Sequence, residues 1–359
     1  MKTTSHILHP SFTFNGLQFE SVEELLHFSK ELAFEGDDYE VSIGKFIQKW
    51  LDDTDTVLVK TSGSTGKPKK IPLLKTQMIN SAKATGAFFD VEEGTSALLC
   101  VPVKFIAGKM MLVRALVLGW NLHIVAPQKN VLTQYDNDYD FVAMVPYQVH
   151  HSINALKKVK KLIIGGGVVS KELKKKLQSV PTQVYATYGM TETITHIAVK
   201  RINGENSTDI FTAIPGVKFS IDKRECLVIE APHISEETII TNDLVTLVSS
   251  TEFQWLGRID NIINSGGIKI YPEKVEEALS SYIKLPFIIA SEKDEELGER
   301  VILIIENEKG VEPSNYSEAF ATLSSYERPK RIYTLSNFPY TKTEKIKRKD
   351  VLQVIHKYK

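Results

Sequence analysis

The stretch Thr56-Val57-Leu58-Val59-Lys60-Thr61-Ser62-Gly63-Ser64-Thr65-Gly66-Lys67-Pro68-Lys69-Lys70 decides how this chain is read. It begins with a short apolar run, which predicts a strand. Glycines and hydroxyls follow, flanked by lysines. Glycines let backbone N–H groups approach an anion, hydroxyls add short donors and lysines supply charge, a combination that suits a polyphosphate. The plainer alternative is a solvated Gly/Ser turn. A Walker loop has four residues between its glycines and Ser or Thr after its lysine. Here only Ser64 and Thr65 separate Gly63 from Gly66, and Pro68 follows Lys67.

Outward from this loop, short apolar runs alternate with amphipathic segments. Strand-like runs fall at 97–101, 141–145, 162–164 and 183–186, with helical patterns at 76–89, 108–118, 147–155 and 170–178. Strands separated by helices predict a mostly parallel sheet with ligands at the carboxyl ends of its strands. Upstream, Ser21 with Glu24 forms a capping box ahead of a helix to Phe34. From Thr195 to Gln254 the helical period gives way to strand alternation with Asn203-Gly204 and Pro215-Gly216 turns, which predicts antiparallel structure. After Gly257 the texture changes again. A helix near Pro272, a strand pair at 287–290 and 301–305, and a helix over 316–326 predict a small α+β unit of about a hundred residues. The fold class is thus a large α/β unit with an added antiparallel region, followed by a small α+β unit.

The chain has 359 residues, 42% of them hydrophobic, with Lys+Arg and Asp+Glu balanced at 44 each. That length supports a large core and a satellite. The charge balance provides no global field for nucleic acid or an anionic membrane, so charged ligands must be bound locally. Cys100 and Cys226 lack metal-ligand spacing and suit buried thiols in a reducing compartment. The most apolar stretch, Met110 to Val125, is interrupted by Arg114, Gly119, Asn121 and His123. A soluble cytoplasmic protein is expected.

The loop at 61–70 resembles the phosphate loop of the adenylate-forming superfamily of acyl- and aryl-CoA synthetases, peptide-synthetase adenylation domains and luciferases. Further segments match in the family's order. Gly165-Gly166-Gly167 is similar to its adenine-binding segment, though an ordinary strand-to-helix turn would also look so. Tyr188-Gly189-Met190-Thr191-Glu192 resembles its most diagnostic short motif. The resemblance implies that Tyr188 stacks near adenine, Thr191 contacts phosphate and Glu192 holds Mg²⁺, a hard ion that prefers carboxylate oxygens shared with phosphates. Thr241-Asn242-Asp243 stands where the family has Thr-Gly-Asp, which implies that Asp243 binds the ribose hydroxyls. Gly257 to Glu273, with Arg258, Asp260 and Gly266-Gly267, is similar to the family's hinge and the following loop. By resemblance Arg258 contacts ribose or phosphate, Asp260 is the pivot and Gly266-Gly267 lines the pantetheine tunnel. The glycine pair can equally be a hairpin turn. Pro339 to Arg348 resembles the closing segment, with Lys345 in the catalytic position and Glu344 replacing a glycine, although a basic tail would look similar.

The resemblance implies a large ATP- and acyl-binding domain over 1–258 and a small mobile domain over 261–359. It also implies that ATP and Mg²⁺ activate a carboxylic acid as an acyl-adenylate, which is passed to the thiol of coenzyme A. The phosphate loop stands early, at position 61, an abbreviation that resembles the short o-succinylbenzoate–CoA ligases of menaquinone synthesis. The segment Val101 to Lys109, with Lys104, Phe105 and Gly108, corresponds to the acyl pocket. Lys104, Lys109 or Arg114, with His196, would suit the second carboxylate of a dicarboxylic aromatic acid. Equally, Lys109 and Arg114 would suit exposed helix positions. Two other functions stay open at this level: adenylation of another acid or for a carrier-protein thiol, and non-catalytic nucleotide sensing.

Overall fold

The computed structural model describes residues 7–60, 70–308, 316–341 and 345–357. The expected phosphate-loop residues Thr61, Ser62, Gly63, Ser64, Thr65, Gly66 and Lys67 lie outside these residues, as does Glu344. The strands that flank the loop, Thr56–Lys60 and Lys70–Leu74, pair antiparallel with Lys60 opposite Lys70.

Among the described residues thirteen strands form one sheet. At its centre Asn121–Ile124, Ser96–Leu99, Tyr139–Met144, Val159–Ile164 and Gln183–Gly189 run parallel. Burial is nearly continuous along Ser96–Leu99 and Tyr139–Met144 and over the last three residues of Val159–Ile164, as in a sheet with both faces covered. The sheet then continues antiparallel through His196–Arg201, Ile210–Ala213, Glu252–Arg258, Ile239–Ser249, Cys226–Glu230 and Lys218–Ile221. The expected parallel and antiparallel regions therefore share one continuous ladder. The strand Thr56–Lys60, which sequence alternation assigned to the parallel sheet, instead pairs in a separate two-stranded sheet. Val57 and Val59 are buried while Leu58 is exposed, the one-sided pattern of a hairpin lying on a core.

The helix Ile106–Leu118 follows strand Ser96–Leu99, and every residue from Met110 to Val117 is buried. Burying each of its Leu, Val and Met side chains contributes about 1.5–3 kcal/mol, and over Met110–Val117 no face is left for solvent, including the one that carries Arg114. A second sheet joins Ile268–Ile270, Ile263–Ser265, Gly298–Glu306 and Phe287–Asp294, and Arg331–Leu335 runs parallel to Gly298–Glu306. Helices Pro272–Leu279 and Arg348–Lys357 accompany it. Its own apolar cluster is built on Ile263, Val275, Leu279, Ile289, Leu303 and Ile305.

Candidate functional site

Because the central strands are parallel, their carboxyl ends open on one edge of the sheet, and the loops there gather the motifs. Gln148 pins two of these ends. Its Oε1 accepts from Val145 N–H at 3.2 Å and its Nε2 donates to Cys100 O at 2.7 Å. Beside them Gly165 N–H donates to Met144 O at 3.1 Å. Gly166 takes a left-handed φ of +77°, and a side chain on Gly165 would meet Thr187 Oγ1 at 2.9 Å. The triple glycine is thus a close-packed exit from Val159–Ile164, with Gly166 and Gly167 exposed.

Tyr188 and Gly189 end strand Gln183–Gly189, and the chain turns back at once into His196–Arg201. A Cβ on Gly189 would lie 2.2 Å from Thr195 O and 2.6 Å from the His196 Cα, so only glycine lets the two paired strands come this close here. Thr193 is buried and ties the turn together. Its hydroxyl accepts from Met190 N–H at 2.9 Å and donates to Thr195 O at 2.7 Å. Ile194, buried and β-branched, takes a left-handed φ of +65°, a rare and strained choice. The turn leaves Glu192 exposed at its tip. Among the described residues no group of three or more His, Cys, Asp or Glu side chains could hold a metal by itself. One exposed carboxylate fits a divalent ion that takes its remaining oxygens from phosphates and water.

Tyr188 reaches across the sheet. Its hydroxyl donates to Asp243 Oδ2 at 2.6 Å, Trp255 Nε1 donates to Asp243 Oδ1 at 3.3 Å, and Arg258 Nη1 stands 3.7 Å from Oδ1. Burial, and then the Asp243 charge, push the Tyr188 phenol well above its ordinary value, so it stays a donor at neutral pH. Asp260 accepts from Arg258 Nη2 at 3.0 Å and from Asn242 Nδ2 at 3.3 Å. Asn242 in turn accepts from Arg224 Nη1 at 3.1 Å.

A second polar centre lies inside the large unit. Arg114 is 1% exposed, which overturns the exposed-helix alternative. Its Nε donates to Thr85 Oγ1 at 3.3 Å, and its Nη2 lies 3.3 Å from Thr195 Oγ1 and 3.5 Å from His196 Nδ1. Burial pushes Arg114 down to about 9, so it remains charged at neutral pH. Burial, and then the Arg114 charge, hold His196 well below its ordinary value and neutral. The hydrogen bonds assign the tautomer: Nδ1 accepts from arginine, so Nε2 carries the proton toward Thr85 Oγ1, 3.4 Å away. Thr85 then donates to Ser81 O at 3.0 Å. Among the described residues no carboxylate pairs with Arg114, and its Nη1 has no hydrogen-bond partner.

The other expected acyl-pocket residues sit differently. Lys104 is exposed, with its ammonium 5.3 Å from the Phe105 ring centroid. Lys109 donates to Val103 O at 2.6 Å and stacks on Phe46. Gly108 is a packing glycine, since a Cβ there would lie 2.4 Å from Pro102 O.

Lys345 and the Gly266-Gly267 pair make their contacts within the C-terminal unit. Lys345 N–H donates to Thr341 Oγ1 at 3.1 Å, Thr341 N–H donates to Lys345 O at 2.8 Å, and burial lowers the ammonium pKa. Gly266 and Gly267, both at positive φ, form the tip between Ile263–Ser265 and Ile268–Ile270. That is the hairpin alternative.

Comparison with known proteins adds the family. Residues 17–228 match the family described as AMP-binding enzyme, and that span exceeds half of the chain. The chain belongs to the AMP-binding enzyme family. An acyl-CoA synthetase (AMP-forming)/AMP-acid ligase II-like protein from Dyadobacter fermentans is 36% identical, covering 88% of this chain and 94% of that one, with a TM-score of 0.60. The 2-succinylbenzoate–CoA ligase of Lactococcus lactis is 24% identical over 84% of this chain and 71% of its own length. The O-succinylbenzoate coenzyme A synthetase of Bacillus subtilis, solved with ATP and magnesium, is 18% identical. It covers 85% and 74% of the two chains with a TM-score of 0.72, a likeness of fold.

Within this AMP-binding enzyme, sequence reasoning missed Thr85, Thr195 and Trp255. Thr195 stands directly before His196, and Trp255 stands two residues before the Gly257-Arg258 pair, so both had a positional signal. Thr85 had none, since it meets Arg114 only through the packing of its helix, Lys75–Phe89, against Ile106–Leu118.

Proposed function

We propose that this chain is an acid–thiol ligase that adenylates 2-succinylbenzoate with ATP and passes the acyl group to coenzyme A. The observation that carries the choice of acid is Arg114, a buried cation with no carboxylate of its own. Such a group is costly unless a ligand anion completes it, and 2-succinylbenzoate has one carboxylate to activate and another to seat. Thr85, Thr195 and neutral His196 hold the guanidinium fork in place without competing for an anion.

In the first half-reaction the free carboxylate oxygen bonds to the α-phosphorus and the bond to pyrophosphate breaks. Lys345 neutralises the charge that spreads over the α-phosphate, while Thr191 and the loop hydroxyls of Thr61, Ser62, Ser64 and Thr65 donate to phosphate oxygens. Glu192 would hold Mg²⁺, which supplies charge neutralisation to the phosphates when bound. Gly165–Gly167 and Tyr188 bound the adenine position, and Asp243 with Arg258 receives the ribose. In the second half-reaction the thiol sulfur bonds to the acyl carbon and AMP leaves. Residues 261–359 turn about Asp260 to withdraw Lys345 and bring Gly266-Gly267 to the pantetheine arm. The free, buried thiols of Cys100 and Cys226 suit the reducing cytoplasm in which such chemistry runs, and no helix among the described residues is long and apolar enough to cross a membrane.

The test is CoA consumption with Mg·ATP across a panel of acids. Turnover is expected with 2-succinylbenzoate and not with benzoate. Equal turnover of the two would reject the choice of acid, and no pyrophosphate exchange with any acid would reject adenylation.

A further inference from the structure

We propose that Trp255 is a positioning residue for nucleotide binding: its indole N–H and the Tyr188 hydroxyl together orient Asp243 so that one acceptor site on each carboxylate oxygen stays open to a vicinal diol. The proposal rests on the reading that Asp243 receives the ribose.

A β-bulge brings the indole to that face. Asp243 pairs with Arg258 and Leu244 with Gly257, but Val245 pairs with Trp255, so Leu256 is an extra residue in its strand. Side chains alternate faces with a period of two, and one inserted residue reverses that parity. In a regular ladder Trp255 would point away from the face that carries Asp243 and Arg258. With the bulge it shares their face, and Nε1 comes to 3.3 Å from Asp243 Oδ1.

The donor count then fixes what remains. An ionised carboxylate offers about four lone-pair sites, two on each oxygen. The Tyr188 hydroxyl occupies one on Oδ2 at 2.6 Å and the Trp255 indole one on Oδ1. Arg258 Nη1, 3.7 Å from Oδ1, adds charge rather than a hydrogen bond. Two sites are left, one per oxygen, which is the acceptor pattern for two neighbouring hydroxyls. Indole is a donor only, so Trp255 cannot turn round and compete with Asp243 for the hydroxyl protons of the diol.

Trp255 is also placed to report binding. Trp50 and Trp120 are fully buried, whereas Trp255 is partly exposed beside Asp243. Titrating the full chain with Mg·ATP is expected to change the tryptophan emission, and Mg·tripolyphosphate, which lacks a ribose, is expected to leave it unchanged. In Trp255→Phe the emission change should vanish. Calorimetry should show the Kd for Mg·ATP raised about tenfold, the loss typical of one hydrogen bond to a charged group, with tripolyphosphate binding unaltered. An unchanged Kd for Mg·ATP in a folded Trp255→Phe overturns the proposal, as does an equal weakening of ATP and tripolyphosphate. If that variant does not fold, a wild-type emission that responds identically to the two ligands overturns it. Absence of any Mg·ATP binding to the wild type would instead remove the ligase reading beneath it.

Discussion

Replacing Arg114 by methionine pulls stability and function in opposite directions. Burial lowers this guanidinium from 12.5 to about 9. At about 1.4 kcal/mol per tenfold change in proton affinity, that corresponds to roughly 5 kcal/mol of lost hydration. The hydrogen bonds to Thr85 and Thr195 return about 1.5 kcal/mol each, as bonds from a charged group do. Methionine fills a similar length without charge, so the ligand-free protein should gain about 1–3 kcal/mol, as when buried charges give way to apolar side chains, and melt a few degrees higher. Seating of the acid should move the other way. Losing a buried charge pair costs about 2–5 kcal/mol, which is a rise in KM for 2-succinylbenzoate of about 30-fold or more. Scanning calorimetry of the ligand-free protein and CoA-consumption kinetics against acid concentration measure the two effects. An unchanged KM would refute the carboxylate seat. A lower Tm would show that Arg114 is structural, a cation the fold needs.

Three further outcomes are expected. Lys345→Ala should suppress pyrophosphate exchange far more than thioester formation from preformed adenylate, and equal losses in both would contradict its role. Gly189→Ala should destabilise the fold by about 3 kcal/mol or more, because its methyl would collide with backbone that cannot move aside; an unshifted urea midpoint would count against that geometry. Burial raises the Glu276 carboxyl from 4.5 to about 7, against the pull of Arg348. The folded state therefore holds this proton more tightly than the unfolded chain, a stabilisation full below 4.5 and lost as pH rises through about 7. In Glu276→Gln that loss should disappear from urea midpoints compared at about pH 5 and about pH 8, and identical pH slopes in the two proteins would reject it.

Element types were legible where periodicity was strong, as in Lys75–Phe89, Ile106–Leu118 and the runs of the parallel sheet. Periodicity does not name a strand's neighbour, so the hairpin role of Thr56–Lys60 could not be read from it. The helix Asp38–Leu51 went unread although Asp37 and Glu40 spell a capping box. Arg114 carried a usable signal. From Met110 to Leu118 the helix is apolar on every side around its one arginine, so burial and a polar partner follow from the pattern itself. The Tyr188–Asp243 contact joins residues 55 apart in sequence, and the bulge that aims Trp255 depends on register. Neither leaves a trace in local spacing. The adenine, ribose and magnesium assignments came from the family's motifs and not from periodicity or spacing.

The left-handed backbone at Ile194 has a consequence for how this protein can change. A β-branched side chain held there costs on the order of 1–3 kcal/mol, and complete burial of that side chain is the counterweight. Glycine would relax the backbone and surrender the apolar anchor in one step. Truncating a buried isoleucine costs about 2–5 kcal/mol, so the exchange returns no net stability, and the strained tip from which Glu192 projects is locked in by the very side chain that strains it.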